Sequence, residues 1–530
     1  MRPSRSLRSL AALLALVLST FLSPARGAPW AAGTRADSVT ALVGATLIDG
    51  NGGPVIADAV VIVTGKRITA VGRRADVHIP KGASIIDATG KFLVPGFIDT
   101  NVHMSLYSGL ESLVRYQDRF TDIAIEGAQL QLKYGVTSVR DSYGMLKPLL
   151  EARDRIDRGE VPGARMYVAG NIVGWGGPWS YTFTGTRQAD LSLFQEQMND
   201  AVAAGAGEEL MGMTPEQLRV AIDRYLDQGV DFVKYGGTSH AFYPAMLGFS
   251  EPAQRVIVEE THKRGKVAET HATSPEGLRI AVDAGVDLVQ HPDATDAPIP
   301  AETVRKMVEK RVVCAMLANT ITGKPWADLQ KKIKQRADSM KKGDSTRAAA
   351  EARGDTSRTY ADSVVARLLR ERPLRSRTTA ETSRDSANRA MLVRRANAEE
   401  LIRAGCVVAP ATDNYRGAAP EFERQPKPET QAPGIGTLLS IEGLVELGMT
   451  PSQAIVAATK NGAFAMRMSD RLGTIEPGKL ADLLLLAGDP LADIHNIRRL
   501  TLVMKEGQVV DVARLPLKAV FYRPVAKTAP

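Results

Sequence analysis

Apolar positions between residues 40 and 92 fall in short runs rich in β-branched residues, at 41–48, 59–63 and 68–71, separated by Asn51-Gly52-Gly53 and Thr64-Gly65-Lys66. Runs of this length bounded by turn formers read as strands joined in hairpins. A matching pair of runs, 483–487 and 500–505, precedes Gly507-Gln508 near the other end. The two ends are predicted to share one small β-sandwich, residues 40–92 and 469–525. Between them the period changes. Apolar β-rich runs at 92–99, 135–140, 166–169, 232–235, 266–270, 288–290, 312–317 and 406–411 alternate with helical stretches over residues 93–468. Strands alternating with helices predict parallel β/α units, and eight of them predict an α/β fold closed into a (β/α)8 TIM barrel.

One stretch breaks the repeat. Residues 326–403, between strands seven and eight, are rich in Ala, Arg, Lys, Glu, Ser and Thr. They read as a helical insertion whose sparse apolar positions Val364, Val365, Leu368 and Leu369 keep helical spacing, and so pack on the barrel or on a second copy of the chain in a homo-oligomer.

A length of 530 residues fits a large domain with a smaller one, and a composition 44% hydrophobic and 24% charged excludes wholesale disorder. The formal charge of +8 changes little, because much of the excess sits in Arg2, Arg5 and Arg8 and in a stretch from about Lys331 to Arg395 that has almost no aromatic residues. A nucleic-acid binder interleaves aromatics with its basic patch, so no nucleic-acid partner is expected. The three arginines precede the apolar run 10–22 and the small residues Ala25, Gly27 and Ala28, the order of a secretory signal over residues 1–28. That run is short for a bilayer crossing, so no stable membrane span is expected and the protein is expected to be secreted or periplasmic. Cys314 and Cys406 each lie in an apolar segment; buried packing is the expectation, with a disulfide as the alternative in an oxidising compartment.

Functional groups in such barrels sit where strands end. Strand one ends in Asn101-Val102-His103, with alternation placing Asn101 and His103 on one side; strand four ends in Lys234, strand five in His271, strand six in His291 and strand eight in Asp413. Three of the seven histidines thus fall at strand ends. Each alone is as well explained by a core or turn hydrogen bond. Together, imidazoles and a carboxylate converging on one mouth are what a zinc-like divalent ion requires. Lys234 either pairs with an acid such as Glu269 or, with its pKa lowered by burial, takes up carbon dioxide to become a carbamate able to bridge two metals.

The sequence resembles the amidohydrolase superfamily, in particular its prolidase and imidazolonepropionase-like branch. The motifs that carry the resemblance are Leu93-Val94-Pro95-Gly96-Phe97-Ile98-Asp99, Gly135-Val136-Thr137-Ser138-Val139-Arg140-Asp141, Lys234 followed by Gly236-Gly237, Ala284-Gly285-Val286-Asp287 before His291, and Gly473-Thr474-Ile475-Glu476-Pro477-Gly478-Lys479-Leu480-Ala481-Asp482-Leu483. The resemblance implies metal ligands at His103, carbamylated Lys234, His271, His291 and Asp413, holding one or two zinc ions. Asn101 stands where relatives carry a histidine, and a neutral amide is the poorer zinc ligand.

The expected reaction is hydrolysis of an amide or peptide bond in a small-molecule substrate, of the dipeptide or N-acyl amino acid type. A metal-activated water is the nucleophile and Asp413 shuttles the proton; His240, in a Gly-rich loop, either contacts the substrate or is a solvated loop histidine. Two rivals are a lactonase or esterase in the same fold, and a binding protein that kept the barrel but lost full metal occupancy, which Asn101 favours.

Overall fold

A computed structural model describes residues 38–105, 109–240, 245–335, 338 and 379–523. The signal-like segment and the apolar positions Val364, Val365, Leu368 and Leu369 lie outside the described residues.

The two ends of the chain meet in one eight-stranded sheet. Strands β1 (Val39–Leu47), β2 (Ile56–Thr64) and β3 (Arg67–Arg73) run antiparallel as hairpins, as their patterning predicts. The meander stops there: β4 (Ser84–Asp87) and β5 (Phe92–Pro95) pair parallel to β1. Strands β16 (Leu483–Leu486), β17 (Leu500–Lys505) and β18 (Gln508–Val510) continue the sheet from β5. Both faces are apolar, one buried around Leu42, Leu47 and Leu485, the other around Ala41, Val43 and Ile62.

All the remaining strand pairs are parallel. One sheet runs β15 (Asn414–Tyr415), β6 (Phe97–His103), β7 (Val136–Asp141), β8 (Arg165–Val168). The other runs β14 (Val407–Pro410), β13 (Val313–Met316), β12 (Leu288–Gln290), β11 (Ala268–His271), β10 (Val233–Gly236), β9 (Ile172–Val173). The single apolar run at 92–99 is thus shared between two sheets, with Gly96 at the crossing, where a Cβ would collide with Thr137. Hydrogen bonds link the sheets at both seams. Thr100 Oγ1 on β6 donates to Pro410 O on β14 (2.9 Å) at one, and Asp231 N, just before β10, donates to Val168 O on β8 (2.8 Å) at the other.

The helices between strands follow local rules. The helix Pro275–Ala284, for example, starts on a Ser274 cap with Pro at its first turn and stops at Gly285 with φ +93°, a left-handed conformation that glycine adopts without strain. In the insertion, residues 323–335 and Thr379–Ala404 are helical. The two pieces touch where the Arg395 guanidinium stacks 4.3 Å over the Trp326 ring. Beneath them Cys314 on β13 and Cys406 at the head of β14 are bonded as a disulfide, Cα atoms 6.3 Å apart, so the alternative to free buried thiols is the one realised.

Candidate active site

The C-terminal ends of the parallel strands surround a cavity of about 390 Å³ lined by His103, Lys234, His240, His271, His291 and Asp413, with walls from Ile172, Trp175 and Leu317. Six of the residues singled out from the sequence therefore share one cavity, and the seventh, Asn101, touches it through Asp413. Pairing register explains the convergence: Gly236 stands opposite His271, and His271 opposite Gln290, so His271 and His291 leave neighbouring strands at almost the same height.

His271 Nδ1 and His291 Nε2 approach to 3.2 Å, while His271 Nε2 and His291 Nδ1 are buried without a hydrogen-bond partner. Burial disfavours the charged ring, and pushes His291 down to about 4 and His271 well below the usual histidine range; Lys234 pushes both the same way, and Asp413 opposes it. Both imidazoles are thus neutral, with lone pairs available. Trp175 packs its edge 5.0 Å from the His271 ring and lies against Gly236, where any Cβ would run into the indole.

On the opposite side Asn101 Nδ2 donates to Asp413 Oδ1, and His103 Nε2 lies 3.4 Å from the same oxygen. The amide nitrogen being spent on Asp413, Asn101 Oδ1 remains buried without a partner. Burial would raise Asp413, but the hydrogen bond from His103 leads the effects that outweigh it and hold its carboxyl far below the usual range.

Lys234 is 2% exposed and forms no ion pair among the described residues. Glu269, the acid named as its alternative partner, is taken by Arg140 and accepts from Gln290 Nε2 at 3.0 Å. Arg140 in turn stacks 3.9 Å over Phe232. Burial lowers the Lys234 pKa more than Glu269, Asp413 and Asp141 raise it, which favours the free amine that carbamylation needs. His240 lines the cavity with Nδ1 3.2 Å from Phe183 O, its ring 5.9 Å from that of His271.

Two functional positions sit in backbone that side chains seldom adopt. His291 has φ +38° and ψ +55° although Pro292 follows it, and Asp413 has φ +49°. Such conformations persist only where the surroundings impose them, and they cluster at functional sites. Among the described residues no three His, Cys, Asp or Glu side chains are spaced as a finished metal cage. The cavity also holds Lys234, an amine, and Asn101, which borders it through Asp413, is an amide; neither is one of those side-chain types.

The model of the amidohydrolase family matches residues 92–510. The chain belongs to the amidohydrolase family. This amidohydrolase is 24% identical over 490 residues to the ochratoxinase of Aspergillus niger, covering 87% of this chain and 84% of that one. It superposes on the structure of molinate hydrolase with a TM-score of 0.74 at 30% identity, covering 93% of this chain and 99% of that one. It superposes on phenylurea hydrolase B with a TM-score of 0.72 at 28% identity, covering 92% and 100%. The protein is a hydrolase of amide-type C–N bonds, in a family that generally works with divalent metal ions.

Sequence reasoning passed over several residues that build the site. Asp99 accepts from Thr412 Oγ1 and Thr437 Oγ1, both at 2.7 Å, and burial pushes it up to about 7 against those bonds. Asp141 accepts from Met104 N at 2.7 Å, and burial pushes it up to about 8. Asp141 ends β7, which was the available signal; Asp99 lies inside β6 of the amidohydrolase, where it carries no such mark. Trp175 and Arg394 lie on loops and in the insertion, where no strand periodicity points to them.

The neutral histidines give a pH prediction for the metal-free protein. The folded pKa of His291 lies below the unfolded value, so the unfolded chain binds more protons between about 4 and 6.5. Stability from this group is present above about 6.5 and is lost as pH falls towards about 4, on the order of 3 kcal/mol in all. His291→Asn keeps a residue that tolerates positive φ but does not titrate. Urea unfolding of both proteins in a chelator should show their stability difference change by that order between pH 7 and 4; a constant difference would mean that His291 is not held neutral.

Proposed function

We propose that this chain is an exported zinc-dependent amidohydrolase cleaving dipeptides or N-acyl amino acids. The observation that carries the reading is the convergence of Lys234, His271, His291, Asp413 and His103 on one cavity at the strand ends. The donor set fits a divalent ion: two neutral buried imidazoles, a carboxylate held ionised, a lysine ready for carbamylation, and an orphaned amide oxygen on Asn101. His271 and His291 with Lys234 would hold one metal; His103, Lys234 and Asp413, with Asn101 as the weak member, would hold a second. Such an ion, when bound, supplies a water of lowered pKa and a polarised carbonyl.

The protein's own groups do the rest. Asp413, ionised across the neutral range, accepts the proton of the attacking water and passes it to the leaving amine. His103 and Asn101 fix its Oδ1 in place. Ile172, Trp175 and Leu317 exclude water from the wall of the cavity, and His240 faces the substrate. The two parallel sheets are read as halves of one closed (β/α)8 barrel, which the seam hydrogen bonds support, and the terminal sheet, apolar on both faces, as the β-sandwich. Export is supported by the arginine-led apolar start and by the Cys314–Cys406 disulfide, since such bonds persist in oxidising compartments. No helix among the described residues is long and apolar enough to cross a membrane.

The test joins turnover to metal content. Purified protein should hydrolyse members of a panel of N-acyl amino acids and dipeptides, lose that activity to a chelator and regain it with zinc. Elemental analysis should find nearer one tightly held metal than two, and Asn101→His should raise the count towards two. Turnover indifferent to chelation would sink the metal reading. Two tight metals in the unmodified protein would show that the Asn101 amide suffices as a ligand. Metal binding without hydrolysis of any amide would favour the binding-protein alternative.

A further inference from the structure

The insertion helix Thr379–Ala404 reaches the cavity. Ala390, Arg394, Asn397 and Leu401 recur at spacings of three to four, so they share one face. That face is docked: Leu401 and its neighbour Ala398 are fully buried. Asn397 Nδ2 donates to Thr295 Oγ1 at 2.9 Å, and Asn397 Oδ1 accepts from Ile299 N at 3.2 Å. The helix is thus fastened to the loop that follows His291. One turn earlier, Ala390 and Arg394 form part of the cavity wall.

The Arg394 guanidinium is held on one side only. Nε and Nη2 donate to Asp293 Oδ2 at 3.1 and 2.9 Å, and Nη2 also donates to Thr320 Oγ1 at 3.0 Å. Nη1 makes no hydrogen bond among the described residues, and the side chain is 20% exposed. Besides Arg394, the described residues of the cavity lining include one other Lys or Arg, the deeply buried Lys234. Guanidinium stays charged at any working pH, and a fork already immobilised by a buried carboxylate loses little further entropy when it takes an anion.

We propose that Arg394 is a specificity-determining residue that binds a carboxylate of the substrate, so that this hydrolase selects acids over the corresponding neutral amides. The proposal rests on the amide-hydrolase reading of the cavity above. The apolar wall of Ile172, Trp175 and Leu317 then takes the side chain of the amino acid whose carboxylate Arg394 holds. Asp296, which shares the lining, disfavours a second negative group and so limits selection to a monoanion.

A purely structural role is the alternative, because Asp293 lies two residues beyond His291 and Arg394 holds that turn through it. The test compares N-acetyl-L-leucine with N-acetyl-L-leucinamide, which share the scissile bond and differ in the carboxylate. Wild type should prefer the acid. Arg394→Met should lower kcat/KM for the acid about 10- to 100-fold, mostly through KM, as loss of a charged hydrogen bond does, and leave the carboxamide within about threefold. Arg394→Lys, which keeps the charge without the fork, should fall between. Equal losses on both substrates would overturn the proposal in favour of the structural role, as would a wild type indifferent to the carboxylate. Calorimetric binding of L-leucine and L-leucinamide to the intact protein separates this from the hydrolysis reading, since neither carries the scissile bond. Tighter binding of the acid that vanishes in Arg394→Met supports the proposal even if no amide is cleaved; equal binding of the two overturns it.

Discussion

Lys234→Ala is expected to abolish hydrolysis, with a loss of about 10³-fold or more in kcat and a fall in bound metal. Lys234 is the single group assigned to both proposed metal positions, and metal activation accounts for several kcal/mol of barrier lowering, each 1.36 kcal/mol being a factor of ten. The structure strengthens the expectation. The amine is buried, no carboxylate pairs with it among the described residues, and Glu269 is already committed to Arg140 and Gln290. A lysine in this setting is costly to the fold unless it is neutral or converted to an anion that something else binds. Lys234→Met, which keeps most of the apolar stem, should lose activity equally while melting no lower than wild type, separating chemistry from packing. Adding a short carboxylic acid to the Ala variant should restore part of the turnover and the metal. An Ala variant with normal metal content and normal turnover would rule out the carbamate.

The second large effect is on stability. The Cys314–Cys406 bond closes a loop of 92 residues that contains the whole insertion. Chain-entropy reasoning for a loop of that length gives about 4 to 5 kcal/mol of stabilisation, by restricting the unfolded chain. The joint replacement Cys314→Ala with Cys406→Ala should therefore lower the unfolding free energy by about that amount in urea titration, and a reducing agent should do the same to the unmodified protein. Because the bond ties β13 to the head of β14, the strand that leads to Asp413, the loss should also lower retention of metal on warming. A change of less than about 1 kcal/mol would mean that the parallel strands β13 and β14 hold the insertion without help.

Much of the parallel β/α structure was legible because its signal is local. The runs at 135–140, 288–290 and 312–317 fall within a residue of β7, β12 and β13, since strands buried on both faces must be continuously apolar. His271, His291 and Asp413 were legible for a related reason: a polar residue that ends such a run marks the mouth. The two-residue strand β9 was not, being too short to carry a period. The run at 92–99 was read as one strand and is two, because hydrophobicity cannot say which sheet an apolar strand will join.

Residue type and order alone determined which groups are available for chemistry: three strand-end histidines, one lysine inside an apolar strand, one aspartate after strand eight, and Asn101 where a histidine was expected. Tertiary structure decided how they are used. That Glu269 goes to Arg140 rather than to Lys234, that Asn101 spends its amide nitrogen on Asp413, and that Cys314 meets Cys406 across 92 residues are outcomes of distance between strands far apart in the chain. So is the arrival of Arg394 at the cavity from the helical insertion. Hydrophobic period is set by neighbours along the chain, whereas the partner of a buried charge is set by whichever group the packed strands bring within about 3 Å of it, and no single segment encodes that distance.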